Sequence, residues 1–554
     1  MPKINLKEII IVFGILIFSL GIYIYKLSTI PNGVYVDETL NGYNAYSILQ
    51  TGKDEYAKAF PIAFRLFGSY SPPLHIYLLV PFIKFLGLNA TAIRLPSAIS
   101  MTITVFLFYL SLKKIIGKKD YHPYLETFIF TFLPWSVFFA RVGYEVTLSL
   151  PFFALSFLIL LYTFEKAKLF PLAAFVLSIL SYTSQTTRFL APLYFLGVLF
   201  LYRKLLKDNW KQAIWGILIF SITQIPNLFL FLTPAFATKN SLFYTTDITQ
   251  RAKGIPYLAA QITWPLAFIK EFFARFLAYF SPKSLFLNPD PDPQRSIPLL
   301  GAFYPYLIVP YLVGLYSLIT RNLSQKSKLL IFTLIISPIP AALARDPFST
   351  QRALPLFFPL SLLSFLGFEQ IRAKINPLIF LPLMGCLIIF SALQLYRSYF
   401  ILLPHERAVA WSYGFDKLAK EIKDRPDEQF LIDQSRIKPA YIELAFFLKL
   451  DPAIIQTSVD PEITNHYYEN VVFDNSYSFA QITTRNIVWE KDIYQEQIIV
   501  GDNLTVSENQ AKEHFLTKVF EIKDPVGEII FVGYKTNPKL KCAATLNESP
   551  YCRN

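Results

Sequence analysis

The chain has 554 residues, of which 53% are hydrophobic, 17% aromatic and 16% charged, with a mean hydropathy of +0.40. So little charge cannot cover a soluble protein of this length, and the apolar residues fall in long runs, so the composition points to a polytopic helical membrane protein. The formal charge of +13 does not mark a nucleic-acid binder, because the cations cluster in short loops between apolar runs.

The first apolar run, 8–28, is long and has no small-x-small cleavage site before Pro31, so it reads as a retained anchor rather than a signal peptide. Val34-Tyr35-Val36-Asp37-Glu38-Thr39 follows, with two adjacent carboxylates at the depth where a membrane meets water. The run 72–87 is short, carries Pro72, Pro73, His75, Pro81 and Lys84, and reads as interfacial or re-entrant. Further runs lie at 94–112, 124–140, 147–164, 169–186, 189–202, 212–232, 302–320, 329–344, 353–371 and 377–396. By length they give about eleven spans, and Cys386 is expected in the core of the last. With a cytoplasmic N-terminus, every inside loop is short and basic: Lys3 and Lys7, then Lys113, Lys114, Lys118 and Lys119, then Lys166 and Lys168, and so on to Arg372 and Lys374.

The expected organisation is a transmembrane domain over 1–400, in which 29–93 is the first outer, catalytic loop and 233–301 the second large outer loop. An extracytoplasmic α/β domain over 401–554 follows. In that tail His405–Ile422 and Lys438–Leu448 read as helices, and Gln429–Asp433, Asn486–Trp489, Gln497–Val500 and Glu528–Tyr534 as strands. The tail has no evident nucleophile–base pair or metal-ligand spacing and reads as a packing or acceptor-docking module. Cys542 and Cys552 are close enough in sequence for a disulfide outside the cell.

A carboxylate at the mouth of a membrane protein is often only part of a solvated loop. Three features favour more for Asp37. It lies near the end of a span, its loop is patterned with apolar and aromatic residues, and other ionisable residues collect at outer helix ends: Glu145 beside Arg141, then Arg188, then Arg345, Asp346 and Arg352. A sugar on a lipid phosphate has an activated anomeric carbon. Its transfer to a hydroxyl needs a base for the acceptor proton and donors or cations on the departing phosphate. This chain offers Asp37 as the base, several interfacial cations, and abundant Phe and Leu for an isoprenoid groove. Asp290 and Asp292 stand among Pro289, Pro291 and Pro293, a spacing that reads as an extended loop rather than a cation site.

Val36-Asp37-Glu38, Ser71-Pro72-Pro73-Leu74 with Tyr77, Gly87-Leu88-Asn89, and Ala92-Ile93-Arg94-Leu95-Pro96-Ser97-Ala98 together resemble the first outer loop of the C-fold glycosyltransferases. The branches they resemble are the protein O-mannosyltransferases and the lipid A aminoarabinose transferases. The resemblance implies an integral membrane enzyme that inverts a sugar while moving it from a polyprenyl phosphate. It makes Asp37 the general base and Glu38 its support, with Glu145 matching a second acidic position. Relatives often carry Lys where this chain has Ser71, so the phosphate falls to Arg65, His75, Arg188, Arg345, Arg352 or backbone donors. Tyr70 stands where an acidic residue would help bind a metal, so no metal site carries over, and a divalent ion stays an open possibility.

The expectation is therefore a plasma-membrane glycosyltransferase. Its partners are a polyprenyl-phosphate sugar, a protein, lipid or glycan acceptor, and membrane lipids, with no nucleic acid. Two rivals stand beside it. A lipid or sugar transporter should show paired repeats and polar residues near mid-bilayer. A non-catalytic assembly subunit should tolerate replacement of Asp37.

Overall fold

In the computed structural model of the chain, residues 6–118, 121–236, 260–320, 324–344, 346–436, 439–473, 476–545 and 549–552 are described. The middle of the loop expected to be the second outer one, 237–259, and Arg345 lie outside them. The chain forms two compact units: Met1–Leu27, Tyr70–His75 and Arg94–Ile401 make the first, and Ser28–Ser69, Ile76–Ile93 and Leu402–Asn554 the second. The tail begins at Leu402, beside the expected boundary, but it does not stand alone. Most of the segment 29–93 belongs with it.

The first unit is helical. Among the described residues, five helices are long and apolar enough to cross a membrane: Leu6–Ile24 (α1), Ala90–Ile116, Glu145–Thr163, Leu354–Arg372 and Pro377–Glu406. Shorter apolar helices include Ala167–Leu180, Gln185–Leu201 and Pro305–Thr320. Several expected spans are broken by proline, which starts a helix well but cannot continue one. The run 124–140 is split into Tyr124–Thr131 and Pro134–Ala140. The run 329–344 divides at Pro338 into Gln325–Ile336 and Ile339–Ala342. Cys386 is exposed, not core. Its helix buries only the stripe Phe380, Met384, Ser391 and Leu395, and Cys386 lies off it.

The second unit is built on a six-stranded mixed sheet. Its strands are β1 (Phe430–Ile432), β2 (Tyr477–Phe479), β3 (Ile482–Thr484), β4 (Ile498–Gly501), β5 (Thr517–Lys523) and β6 (Ile529–Lys535), in the order β2-β3-β1-β4-β6-β5. β1 runs parallel to β3 and β4, with Phe430 opposite Ile482 and Ile498. The other pairings are antiparallel. Alternation sends Leu431, Ile499, Val532 and Tyr534 to one face and Phe430, Ile432, Ile498, Val500 and Phe531 to the other. That second face shares its core with Leu40, Tyr43 and Ile48 of the helix α2 (Val36–Thr51) and with Ile76, Leu79 and Ile83 of α3 (Leu74–Leu86). The run 72–87 is thus a helix whose inner stripe is part of a globular core.

The tail departs from expectation in several places. The helix foreseen over His405–Ile422 is broken into Leu403–Glu406, a short turn Val409–Trp411 and Phe415–Lys423, because Ser412 and Gly414 adopt left-handed backbone (φ 54° and 98°). No strand covers Asn486–Trp489. The strand ends at Thr484, and Arg485 turns to pair with Asp492 at 2.7 Å. β2, β3 and β5 were not foreseen: β2 and β3 are three residues each, and in β5 the adjacent Val519 and Phe520 break the alternation where the pairing shifts register between Lys518 and Phe520. Cys542 and Cys552 are joined as a disulfide.

Candidate active site

Asp37 and Glu38 stand on the first turn of α2, where the helix dipole favours negative charge. Glu38 is fully buried and forms a capping box, accepting a hydrogen bond from the Tyr35 amide at 3.1 Å. Asp37, half-buried beside it, rides on a turn that is locked by this cap. The approach is equally fixed. The Asn32 side chain donates to the Pro404 carbonyl at 2.6 Å, and the rings of Tyr35 and Trp411 meet at 6.2 Å. Gly33 lies so close to the tail that a Cβ there would fall 1.8 Å from the Trp411 carbonyl oxygen.

A third carboxyl completes the cluster, and sequence reasoning missed it. Glu443 lies on the helix Ala440–Leu448, which packs on α2, and is 2% exposed. It faces the hydroxyls of Thr39 and Ser412, yet neither of its oxygens makes a hydrogen bond of ordinary length and angle. Burial pushes its pKa well above the usual carboxylate range. The two hydroxyls lower it less than burial raises it, and the charges of Glu38 and Asp37 add to the rise. The one local signal was a lone acid in the apolar run Ala440-Tyr441-Ile442-Glu443-Leu444-Ala445.

Arg65, also in the second unit, is wholly buried. It donates to the Val472 carbonyl at 2.6 Å and to the Asn470 carbonyl at 3.4 Å, and it stacks over the Tyr56 ring. Its guanidinium clamps residues 470–472 to the loop. Beside it Asp54 accepts from the Tyr56 and Lys58 amides and from the Tyr467 hydroxyl. Burial nonetheless raises its pKa to about 6.

The other expected residues lie in the first unit. The segment Tyr70–His75 is held by the 182–185 turn: Leu74 N–H donates to the Tyr182 carbonyl at 3.2 Å, and the Gln185 amide donates to the Tyr70 carbonyl. His75 is buried there. Arg188, one turn beyond Gln185, is also buried. Its Nη1 donates to the Ala235 and Phe236 carbonyls at 2.8 and 2.9 Å. Its Nε and Nη2 have no acceptor among the described residues. Arg141, by contrast, ties down α1 through the Ile22 and Tyr23 carbonyls.

Arg352 faces Glu145 and pairs with Asp346 at 3.0 Å, and Asp346 also meets Arg295 at 2.8 Å. Burial alone would raise the Asp346 pKa, but the two arginines hold it below the ordinary range. Asp290 is engaged by the Thr350 amide and hydroxyl at 2.7 and 2.9 Å and lies 3.5 Å from Arg295. Among the described residues no group of three or more His, Cys, Asp or Glu side chains is disposed to hold a metal ion.

No protein-family model matches the chain, and no curated protein matches it in sequence. Solved structures do. ArnT from Cupriavidus metallidurans bound to undecaprenyl phosphate is similar with a TM-score of 0.56 at 11% identity, over 94% of this chain and 97% of that one. ArnT from the same organism in the apo state gives 0.58 at 11% identity, over 96% and 98%. The Archaeoglobus fulgidus oligosaccharyltransferase in complex with Zn and sulfate reaches 0.49 at 12% identity, over 93% and 72%. With its apolar helices, the chain is a helical membrane protein whose fold is similar to that of ArnT.

Proposed function

We propose that this chain is an inverting glycosyltransferase that moves one sugar from a polyprenyl-phosphate donor to an acceptor hydroxyl outside the cytoplasm. The observation that carries the reading is the placement of Asp37. It is a half-buried carboxylate on a capped helix turn, just past the first apolar helix, in a chain with the fold of ArnT. Asp37 takes the acceptor proton as the hydroxyl oxygen attacks the anomeric carbon. The bond to phosphate oxygen breaks on the opposite face, and the polyprenyl phosphate leaves as an anion. Glu38 anchors the turn that carries it.

The departing phosphate needs positive charge. Arg188 suits this task best within its unit: it is buried, two of its donor nitrogens have no acceptor among the described residues, and it shares a helix with the Gln185 that holds Tyr70 beside Ser71. Arg65 is the poorest candidate, since its donors are engaged by residues 470–472. The ArnT solved with undecaprenyl phosphate supports the same class of lipid carrier here. About eleven spans, a cytoplasmic N-terminus and an extracytoplasmic second unit in the plasma membrane follow from the positive-inside pattern.

The test is turnover by the purified full chain in liposomes, with a panel of radiolabelled polyprenyl-phosphate sugars and lipid, peptide and glycan acceptors. Asp37→Asn should lower transfer by roughly two to four orders of magnitude while the protein stays folded. Undiminished transfer by that variant overturns the assignment of the base.

A further inference from the structure

Resting on the assignment of Asp37 as base, we propose that Glu443 is a positioning residue of the transfer reaction: carried in by the tail, it holds the first turn of α2, and so the Asp37 carboxylate, in working position. Its contact with α2 is set by backbone packing. A Cβ on Gly42 would lie 2.7 Å from Ile93 Cγ2 and 3.0 Å from Phe446 Cε2, so the two helices touch closely at that level. One turn earlier on each helix stand Thr39 and Glu443. The helices therefore run side by side in the same direction, with Glu443 beneath the turn that bears Asp37 and Glu38.

Packing alone does not account for a carboxyl here. Both oxygens are buried without a well-formed hydrogen bond, and a leucine or methionine would fill the volume at less cost. What a carboxyl adds is a proton to donate. The Thr39 hydroxyl gives its own proton to the Val36 carbonyl at 2.9 Å, which leaves its oxygen as an acceptor. Protonated Glu443 can supply that bond, linking Glu443 through Thr39 to Val36, the residue before Asp37. With Glu38 already engaged by the Tyr35 amide, the turn is then held from both sides. Beside two carboxylates, the neutral form of Glu443 also avoids placing a third negative charge in the cluster.

The experiment compares Glu443→Met, Glu443→Gln, Thr39→Val and Asp37→Asn in the full chain, using the polyprenyl-phosphate sugar of the panel that the wild type turns over. Methionine keeps the volume without a donor, whereas glutamine keeps a donor without an ionisable group. Glu443→Met should lower kcat between about tenfold and a hundredfold, with an unchanged KM for the donor lipid and a thermal midpoint no lower than that of the wild type. Glu443→Gln should restore kcat to within about threefold. Thr39→Val removes the acceptor but leaves Glu443 in place, so it should lower kcat in the same way, and it carries the test if Glu443→Met does not fold. Wild-type kcat in Glu443→Met, or a change confined to KM, overturns the proposal. So does equal loss in the Met and Gln variants. An active Asp37→Asn would instead overturn the assignment of the base, a result separable from every outcome at 443.

Discussion

Substituting Gly33 by alanine tests how closely the loop before Asp37 must lie on the tail. The backbone at Gly33 is not left-handed, so alanine meets no torsional barrier there. The whole effect comes from proximity. The added Cβ would sit 1.8 Å from the Trp411 carbonyl oxygen, 2.8 Å from its carbon and 2.9 Å from the Tyr413 nitrogen. Ordinary contact needs roughly 1.5 Å more than the shortest of these, and backbone atoms cannot rotate away as a side-chain tip would. Either the loop lifts or the 411–413 segment retreats. Overpacking of this kind costs about 1–3 kcal/mol, which lowers the thermal midpoint by roughly 2–10 °C. The displacement is passed along four residues to Asp37, and a shift of about 1 Å at a reacting group lowers kcat about a hundredfold. Scanning calorimetry and single-turnover transfer assays measure the two effects. Gly385→Ala is the control: nothing lies within 4 Å of a Cβ there, and it should match the wild type. A Gly33→Ala protein with wild-type midpoint and wild-type kcat would refute the close packing of loop on tail.

Two further consequences can be measured. A chain ending at residue 401 should lose order in the first outer loop, because Leu40, Tyr43 and Ile48 share their core with the sheet and Arg65 is clamped by residues 470–472. Trypsin should then cut after Lys53 and Arg65 in the shortened chain and not in the full one; equal protection of both would contradict the shared core. Asp54 supplies a pH dependence. Its folded pKa of about 6 lies above its ordinary 3.8, so the folded state holds the proton more tightly than the unfolded state does. The stability that this proton confers is complete below about pH 4 and is lost as pH rises through 6, amounting to about 3 kcal/mol. Chemical denaturation at pH 4, 5, 6 and 7 should show Asp54→Asn with a flatter profile than the wild type. Parallel profiles would remove Asp54 from the account.

The parts of this molecule that were legible in its sequence are those set by local physics. Long apolar runs separated by short basic loops announced a helical membrane protein. The Asp37-Glu38 pair stood out as adjacent carboxylates just past the first apolar run, and Gly87-Leu88-Asn89 only as part of the family resemblance. Gly87 closes α3 in left-handed backbone (φ 76°), and Asn89 accepts from the Ala92 amide at the start of the next helix. Proline-broken spans were harder, since hydropathy runs straight through Pro134 and Pro338 while the hydrogen-bond ladder does not.

What could not be read is the union of two stretches nearly four hundred residues apart in the chain. Each looked self-sufficient: a loop patterned with aromatics, and an α/β tail with its own sheet. Yet Phe446 fits against Gly42, the Tyr43 hydroxyl donates to the Leu450 carbonyl at 3.1 Å, and the Tyr441 hydroxyl donates to Glu55 at 3.0 Å. No periodicity encodes such pairings, because an apolar stripe states that it must be covered and not by what. Two facts of composition carried the information without naming the partner. The loop held more aromatic and aliphatic residues than a solvated linker needs, and Glu443 was an acid with no reason to sit in an apolar helix. An unexplained polar residue in one core and an unexplained apolar pattern in one loop answer each other when the two are packed together. On that ground the tail and the first loop share one core.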